Sequence, residues 1–408
     1  MKDYLALRSA PAASSVGGDH PLVQAVILAG AHSWGGHVLE RVSTRPLLPI
    51  VGRPMIAHTL SWLRGGGISE TRLCANSDTP VLWRRLGDGG SLGMDLEYYE
   101  DVSPRGPAGC VRDAVLGSEA DLFVVVEGTI LPQIGLADLL DAHQRSEAMV
   151  TIVVEKNNND GVEPHPHRAG KPVGIYVFSR SALQHIPAAG YQDIKESLLP
   201  KLHAQGERVL TFEVDRHCAP RVTGVGAYLA ICKWAVERLV HVGEASPAYE
   251  RRGEALVHET ASVDPSARLL GPVLIEPNAV VGAGAIVVGP TTVGEGSRLE
   301  QGVVVSRSVI WSHCTIGRGA SLDHCVVTHG ASVEANRVND SAVLVAGNEE
   351  NTAKGAGANG ASDPTARTSS GARRNADHAA GAAHQQLGTR RPQLDLLPQR
   401  QVATTEGE

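Results

Sequence analysis

The sequence predicts a three-layer α/β domain followed by a parallel β-helix, and three observations carry that prediction. From Leu22 to about Gly243, strand-length apolar runs alternate with helical patterns. Between Val257 and Val305, apolar residues then recur at every sixth position: Val257, Val263, Leu269, Ile275, Val281, Val287, Val293, Leu299 and Val305. Aromatic residues make up only 4% of the 408 residues while glycines number 45, a balance that suits tight turns better than helical bundles.

Along the first domain, strands are predicted over 23–29, 122–126, 150–154, 173–178 and 209–214, each a run of β-branched and apolar residues. Helices are predicted over 54–63, 136–145, 194–203 and 228–240, where apolar residues fall three and four apart. The first of these opens on Pro54 at a first-turn position and stops at Gly65-Gly66-Gly67. In the repeat, a second phase of the same period holds small residues, Ala261, Ala267, Ala279, Ala285 and Ser297. The apolar phase resumes after one-residue slips at Ile310, Ile316, Leu322, Val327 and Val333. A six-residue period is the signature of a β-helix whose triangular coils each use three such units. So short a stack is expected to associate with copies of itself or with a related chain.

The boundaries that follow are an arm at 1–20, an α/β domain at 21–245, a repeat domain at 253–346 and a tail at 347–408. The tail has no Phe, Trp, Tyr or Ile and is expected to be disordered. A net charge of −7 offers no footprint for a nucleic acid and no polybasic membrane surface. No apolar run reaches membrane-spanning length, residues 1–20 lack the apolar stretch of a signal peptide, and the six cysteines form no Cys-x-x-Cys pair. A cytoplasmic protein without nucleic-acid or membrane partners is expected.

The chemistry-bearing stretch is Leu28-Ala29-Gly30 at the first strand's exit, followed at a fixed distance by Arg45-Pro46-Leu47-Leu48-Pro49. Further on stand Gly106-Pro107-Ala108-Gly109 and Gly174-Ile175-Tyr176-Val177-Phe178. In these runs the chain resembles the sugar-1-phosphate nucleotidyltransferases, or NDP-sugar pyrophosphorylases, over about residues 22–340. The resemblance implies a Rossmann-like nucleotidyltransferase domain and a left-handed β-helix of hexapeptides. It also implies a nucleoside triphosphate and a sugar 1-phosphate as substrates, with carboxylates holding Mg2+. By position, it places nucleotide contacts at Leu28, Ala29, Gly30, Ala31, Arg45, Gly106, Ala108 and Gly109. The sugar-phosphate side falls at Lys171 and Gly174.

The charged machinery departs from that pattern. Ser33-Trp34-Gly35 stands where the family has Gly-Thr-Arg, so Gly35 takes the place of the catalytic arginine. Arg45 replaces a lysine, keeping the charge in a planar fork rather than a compact ammonium. Glu127-Gly128-Thr129 replaces Asn-Gly-Asp, and Pro220-Arg221-Val222-Thr223-Gly224 puts Val222 at the second metal carboxylate. Neither a hydroxyl nor an isopropyl group substitutes for an ionised oxygen ligand. Glu127 is the one candidate for a shifted metal ligand.

Two readings therefore stand. One is a catalytically impaired family member that binds a nucleotide or NDP-sugar as a regulatory subunit, in a homo-oligomer or with an active paralogue. The other is an active pyrophosphorylase that uses Mg2+ at a rebuilt site.

Overall fold

A computed structural model describes residues 21–30, 37–101, 105–156, 170–241 and 246–352. The chain opens with β1 (Val23–Leu28), passes through the two-strand hairpin β2 (Pro49–Ile50) and β3 (Arg53–Pro54), and enters α1 (Met55–Gly65). It continues through β4 (Glu70–Ala75), α2 (Thr79–Leu86), β5 (Asp95–Glu100), α3 (Gly106–Ala114), β6 (Leu122–Glu127) and α4 (Leu136–Arg145). The domain closes with β7 (Val150–Glu155), β8 (Lys171–Ser179), α5 (Leu199–Ala204), β9 (Val209–Val214) and α6 (Val225–His241).

Seven strands form one sheet in the order β5-β4-β1-β6-β8-β7-β9. β5, β4, β1 and β6 run parallel, and β8 runs antiparallel to both β6 and β7. Alternate residues of β1 enter different cores. Ala25 and Ile27 pack with α1, α2 and α4, whereas Val26 packs with α3 and α5. A strand covered on both faces must be apolar throughout, which is why 23–29 reads as an unbroken run rather than an alternation. One consequence governs the site. The C-terminal ends of β5, β4, β1 and β6 and the start of β8 share one edge, where ligands of open α/β sheets bind.

The second half begins with β10 (Tyr249–Arg252) and β11 (Ala255–His258) and winds into a parallel β-helix of three sheets. Strand partners are 18 residues apart in the first coils, as Ser262 on Val280 and Val280 on Arg298. They are 17 apart afterwards, as Arg298 on Thr315. Inward residues such as Ile275, Val287, Leu299 and Leu322 are fully buried. Asn348–Thr352 turns back as an antiparallel strand on Ala342–Val345, so ordered structure extends past the expected end at residue 346. The remainder of the expected tail and the 1–20 arm lie outside the described residues. Among the described residues, no helix is long and apolar enough to cross a membrane.

Helix α6 and the β2–β3 hairpin pack on the β-helix in a single core. The buried Tyr228 hydroxyl donates to the Pro49 carbonyl at 2.6 Å and accepts from Trp311 Nε1 at 2.9 Å. The two rings meet edge to face at 6.4 Å. This relay joins a β-helix side chain to the backbone just after Arg45-Pro46. The hairpin turns through Val51 and Gly52, both at positive φ, as a two-residue hairpin of matching twist requires. A Cβ at Gly52 would stand 2.6 Å from Glu276 Oε1. Glycine therefore serves both the turn and the approach of the hairpin to the coil.

Glu276 is buried there and accepts from the Glu295 N–H at 3.1 Å. Burial pushes its carboxyl up to about 7, from 4.5. The folded chain thus holds a proton that the unfolded chain has released between those values. The stability gained is full below the unfolded value and is lost as pH rises through the folded one. His58 and His143 oppose it: burial pushes both down to about 4, so their contribution is lost as pH falls from 6.5. Glu276→Gln isolates the carboxyl from those histidines. Its stability relative to the parent should be higher at about pH 8 than at about pH 5 by on the order of 1–3 kcal/mol, read from denaturant unfolding. An equal difference at both pH values would count against a buried ionising carboxyl.

Candidate functional site

The shared strand edge gathers Gly30 after β1, Asn76 after β4, Glu127 at the end of β6, and Gly174 within β8. The segment after β9 crosses this edge. Ile130 bridges Arg221, and the Val222 N–H donates to the Thr129 carbonyl at 3.2 Å. The two positions where carboxylates are missing, Thr129 and Val222, are therefore backbone neighbours. Val222 itself is fully buried in the core beneath.

The Arg221 side chain reaches Glu127 and Thr129. Its Nη1 donates to Glu127 Oε2 and lies 3.4 Å from Thr129 Oγ1, while Nη2 donates to the Val173 carbonyl at 3.1 Å. The ion pair is about two-thirds buried, with side-chain exposures of 32% for Arg221 and 26% for Glu127. Gly174, at φ +92°, makes room for it: a Cβ there would lie 2.6 Å from Arg221 Nη2 and 2.8 Å from Glu127 Cδ. The role of Gly174 in the structure is thus to admit the ion pair. Arg45, in the turn Arg45–Leu47, lies close enough that the charge of Arg221 lowers its pKa, after the larger effect of burial and against the raising effect of Glu40.

Mg2+ does not fit this donor set. Among the described residues here, Thr129 offers a neutral hydroxyl, Val222 offers nothing, and the Glu127 carboxylate is already bonded to a cation that would repel a second one. Glu127, the candidate for a shifted metal ligand, is paired with Arg221. Among the described residues, the one group of three side chains with metal-ligand spacing is Asp323, His324 and Asp340 on the β-helix. There Asp323 pairs with Arg307; burial raises its pKa, but the hydrogen bonds from Arg307 and Ser306 together with His324 lower it further, to about 2.

The Leu28 carbonyl accepts from Gly128 N–H and the Ala29 N–H donates to Cys74, both at 2.8 Å, so these groups serve the sheet. Gly30 remains at the edge, with Asn76 Oδ1 at 2.8 Å from where a Cβ would stand. Gly106 to Gly109 form the first turn of α3 rather than a loop. The Ala108 and Gly109 N–H groups donate to the Gln192 carbonyl at 3.0 and 3.4 Å, and Gly106 packs against the same carbonyl. Arg105 fixes this turn by pairing with the buried Asp113. Lys171 is exposed at the start of β8, opposite Glu155 and apart from the Arg221 pair. Ala31 and Gly35 lie outside the described residues.

Arg221, Asn76 and Gln192 went unnoticed in the sequence. Only Arg221 carried a signal, as the cation preceding a lost carboxylate. The packing makes a direct expectation. Gly174→Ala should lower stability by about 2 kcal/mol or more through clash and positive φ, whereas Gly65→Ala, with open space around its Cβ, should change it by less than about 1 kcal/mol. Equal effects in urea unfolding would mean that Gly174 is not there for the ion pair.

Comparison with known proteins agrees with this architecture. Residues 24–161 match the nucleotidyl transferase family model, and residues 251–344 match the GMPPB C-terminal domain model. A mannose-1-phosphate guanylyltransferase of Mycobacterium tuberculosis is 28% identical over 314 residues, 72% of this chain and 83% of that protein. A probable mannose-1-phosphate guanylyltransferase of Oryza sativa is 28% identical over 328 residues, 73% of this chain and 88% of that protein. A Yarrowia lipolytica mannose-1-phosphate guanyltransferase is 26% identical over 270 residues, 59% of this chain and 73% of that protein. With both domain models in the same order on one chain, over an α/β sheet and a β-helix, this protein belongs to the sugar-1-phosphate nucleotidyltransferase family.

Proposed function

We propose that this chain is a catalytically impaired member of its family that binds a sugar nucleotide and acts as a regulatory or sugar-nucleotide-binding subunit, assembled with itself or with an active paralogue in the cytoplasm. The names of its relatives make GDP-mannose the ligand of choice. One observation carries the reading: an internal Arg221–Glu127 ion pair lies where the family's pattern calls for two metal carboxylates, and those positions are Thr129 and a fully buried Val222.

The chemistry explains why this arrangement disfavours turnover. Attack of a sugar phosphate oxygen on the α-phosphorus of a nucleoside triphosphate breaks the bond to the β-phosphate and builds charge on the transferred nucleotidyl phosphorus and on the departing pyrophosphate. Catalysis depends on cations that stabilise this charge more in the transition state than in the ground state. Arg221 is already neutralised in part by Glu127, and Gly35 provides no cation. Loss of one such group costs on the order of a hundredfold in rate, and here several are changed together. Arg45 and Arg221 remain suited to holding a diphosphate in the ground state.

With GTP, mannose 1-phosphate and Mg2+, pyrophosphate release should be at least about a hundredfold below that of an active relative assayed beside it. GDP-mannose should raise the melting temperature of the same preparation. Turnover at the relative's rate, abolished by Glu127→Ala, would instead establish an active pyrophosphorylase with a rebuilt metal site.

A further inference from the structure

The Arg221 guanidinium is held in place before any ligand arrives. Glu127, Thr129 and the Val173 carbonyl engage three of its contacts, Gly174 admits it, and the Ile130 bridge fixes its backbone. Those contacts use only part of its five N–H donors. Arg45 brings a second guanidinium within range of its field. The fork geometry of arginine matches phosphate oxygens in bidentate fashion, and a preordered cation loses little freedom on binding. A divalent ion, by contrast, would have to enter beside the Arg221 guanidinium with, among the described residues of this edge, an already paired Glu127 to hold it.

We propose that Arg221, anchored by Glu127, is the resident cation of this site, so that the diphosphate of a sugar nucleotide binds here without a divalent ion. The inference rests on the sugar-nucleotide reading above and adds to it the means of charge neutralisation. The site is electrically complete as folded: the carboxylate orients the guanidinium, and the guanidinium meets the phosphate. Removing Arg221 exposes Glu127 as an unpaired carboxylate, which both repels the diphosphate and becomes available to a metal. The variant should therefore depend on Mg2+ where the parent does not.

Isothermal titration of the full chain with GDP-mannose tests this in excess EDTA and in millimolar MgCl2. The parent's affinity should agree within about twofold between the two, and Arg221→Ala should bind about tenfold or more weakly in EDTA and recover part of that loss in Mg2+. The parent comparison needs no variant and stands even if Arg221→Ala does not fold. Parent binding that falls tenfold or more in EDTA and returns with Mg2+ overturns the resident-cation inference while leaving the sugar-nucleotide reading intact. No GDP-mannose binding under either condition overturns that reading, and the inference with it.

Discussion

Between Glu127 and Arg221 a carboxylate and a guanidinium meet at the edge where the parallel strands end, and the surrounding backbone is arranged around that contact. Gly174 must lack a side chain to admit it, and the Val173 carbonyl turns toward it. The segment carrying Arg221 is bridged to Ile130 beside it. Part-buried ion pairs contribute little net stability when both partners are present, but leave an uncompensated charge when one is removed. The pair thus fixes a charge distribution more than it holds the fold together. That distribution is a part-buried guanidinium held by its counter-charge at the strand edge.

The β-helix bears on the same edge from the other side. Trp311 donates to Tyr228, Tyr228 donates to Pro49, and Pro49 follows the turn that begins at Arg45. Glu276 receives the hairpin tip through the space left by Gly52. The second domain therefore helps fix the backbone that follows Arg45. The shared core of α6, the hairpin and the coils gives this coupling a physical basis in packing.

Much of this architecture was legible because burial imposes periodicity. The strand over 209–214 and the helix over 136–145 fall where the apolar pattern puts them, and β1 differs by one residue. The missed elements are those whose sequences blend burial with exposure. β4 and β5 carry Glu70, Arg72, Asp95, Glu97 and Glu100 among their apolar residues, with β5 at the sheet edge. Gly106 to Gly109 are helical because Pro107 occupies an early helical position and the Gln192 carbonyl accepts from the Ala108 and Gly109 N–H groups. In the site, the loss of two metal carboxylates could be read directly from Thr129 and Val222. What replaced them could not, since 94 residues separate Glu127 from Arg221 and only the fold brings them together.

The most direct test of the central claim is a crystal structure with GDP-mannose in the presence of Mn2+, with anomalous scattering used to locate the metal. The expected result is a diphosphate oxygen within hydrogen-bonding distance of the Arg221 guanidinium, Glu127 still paired with it, and no anomalous peak between Glu127 and Thr129. A manganese peak coordinated by Glu127, with Arg221 swung away, would contradict the account.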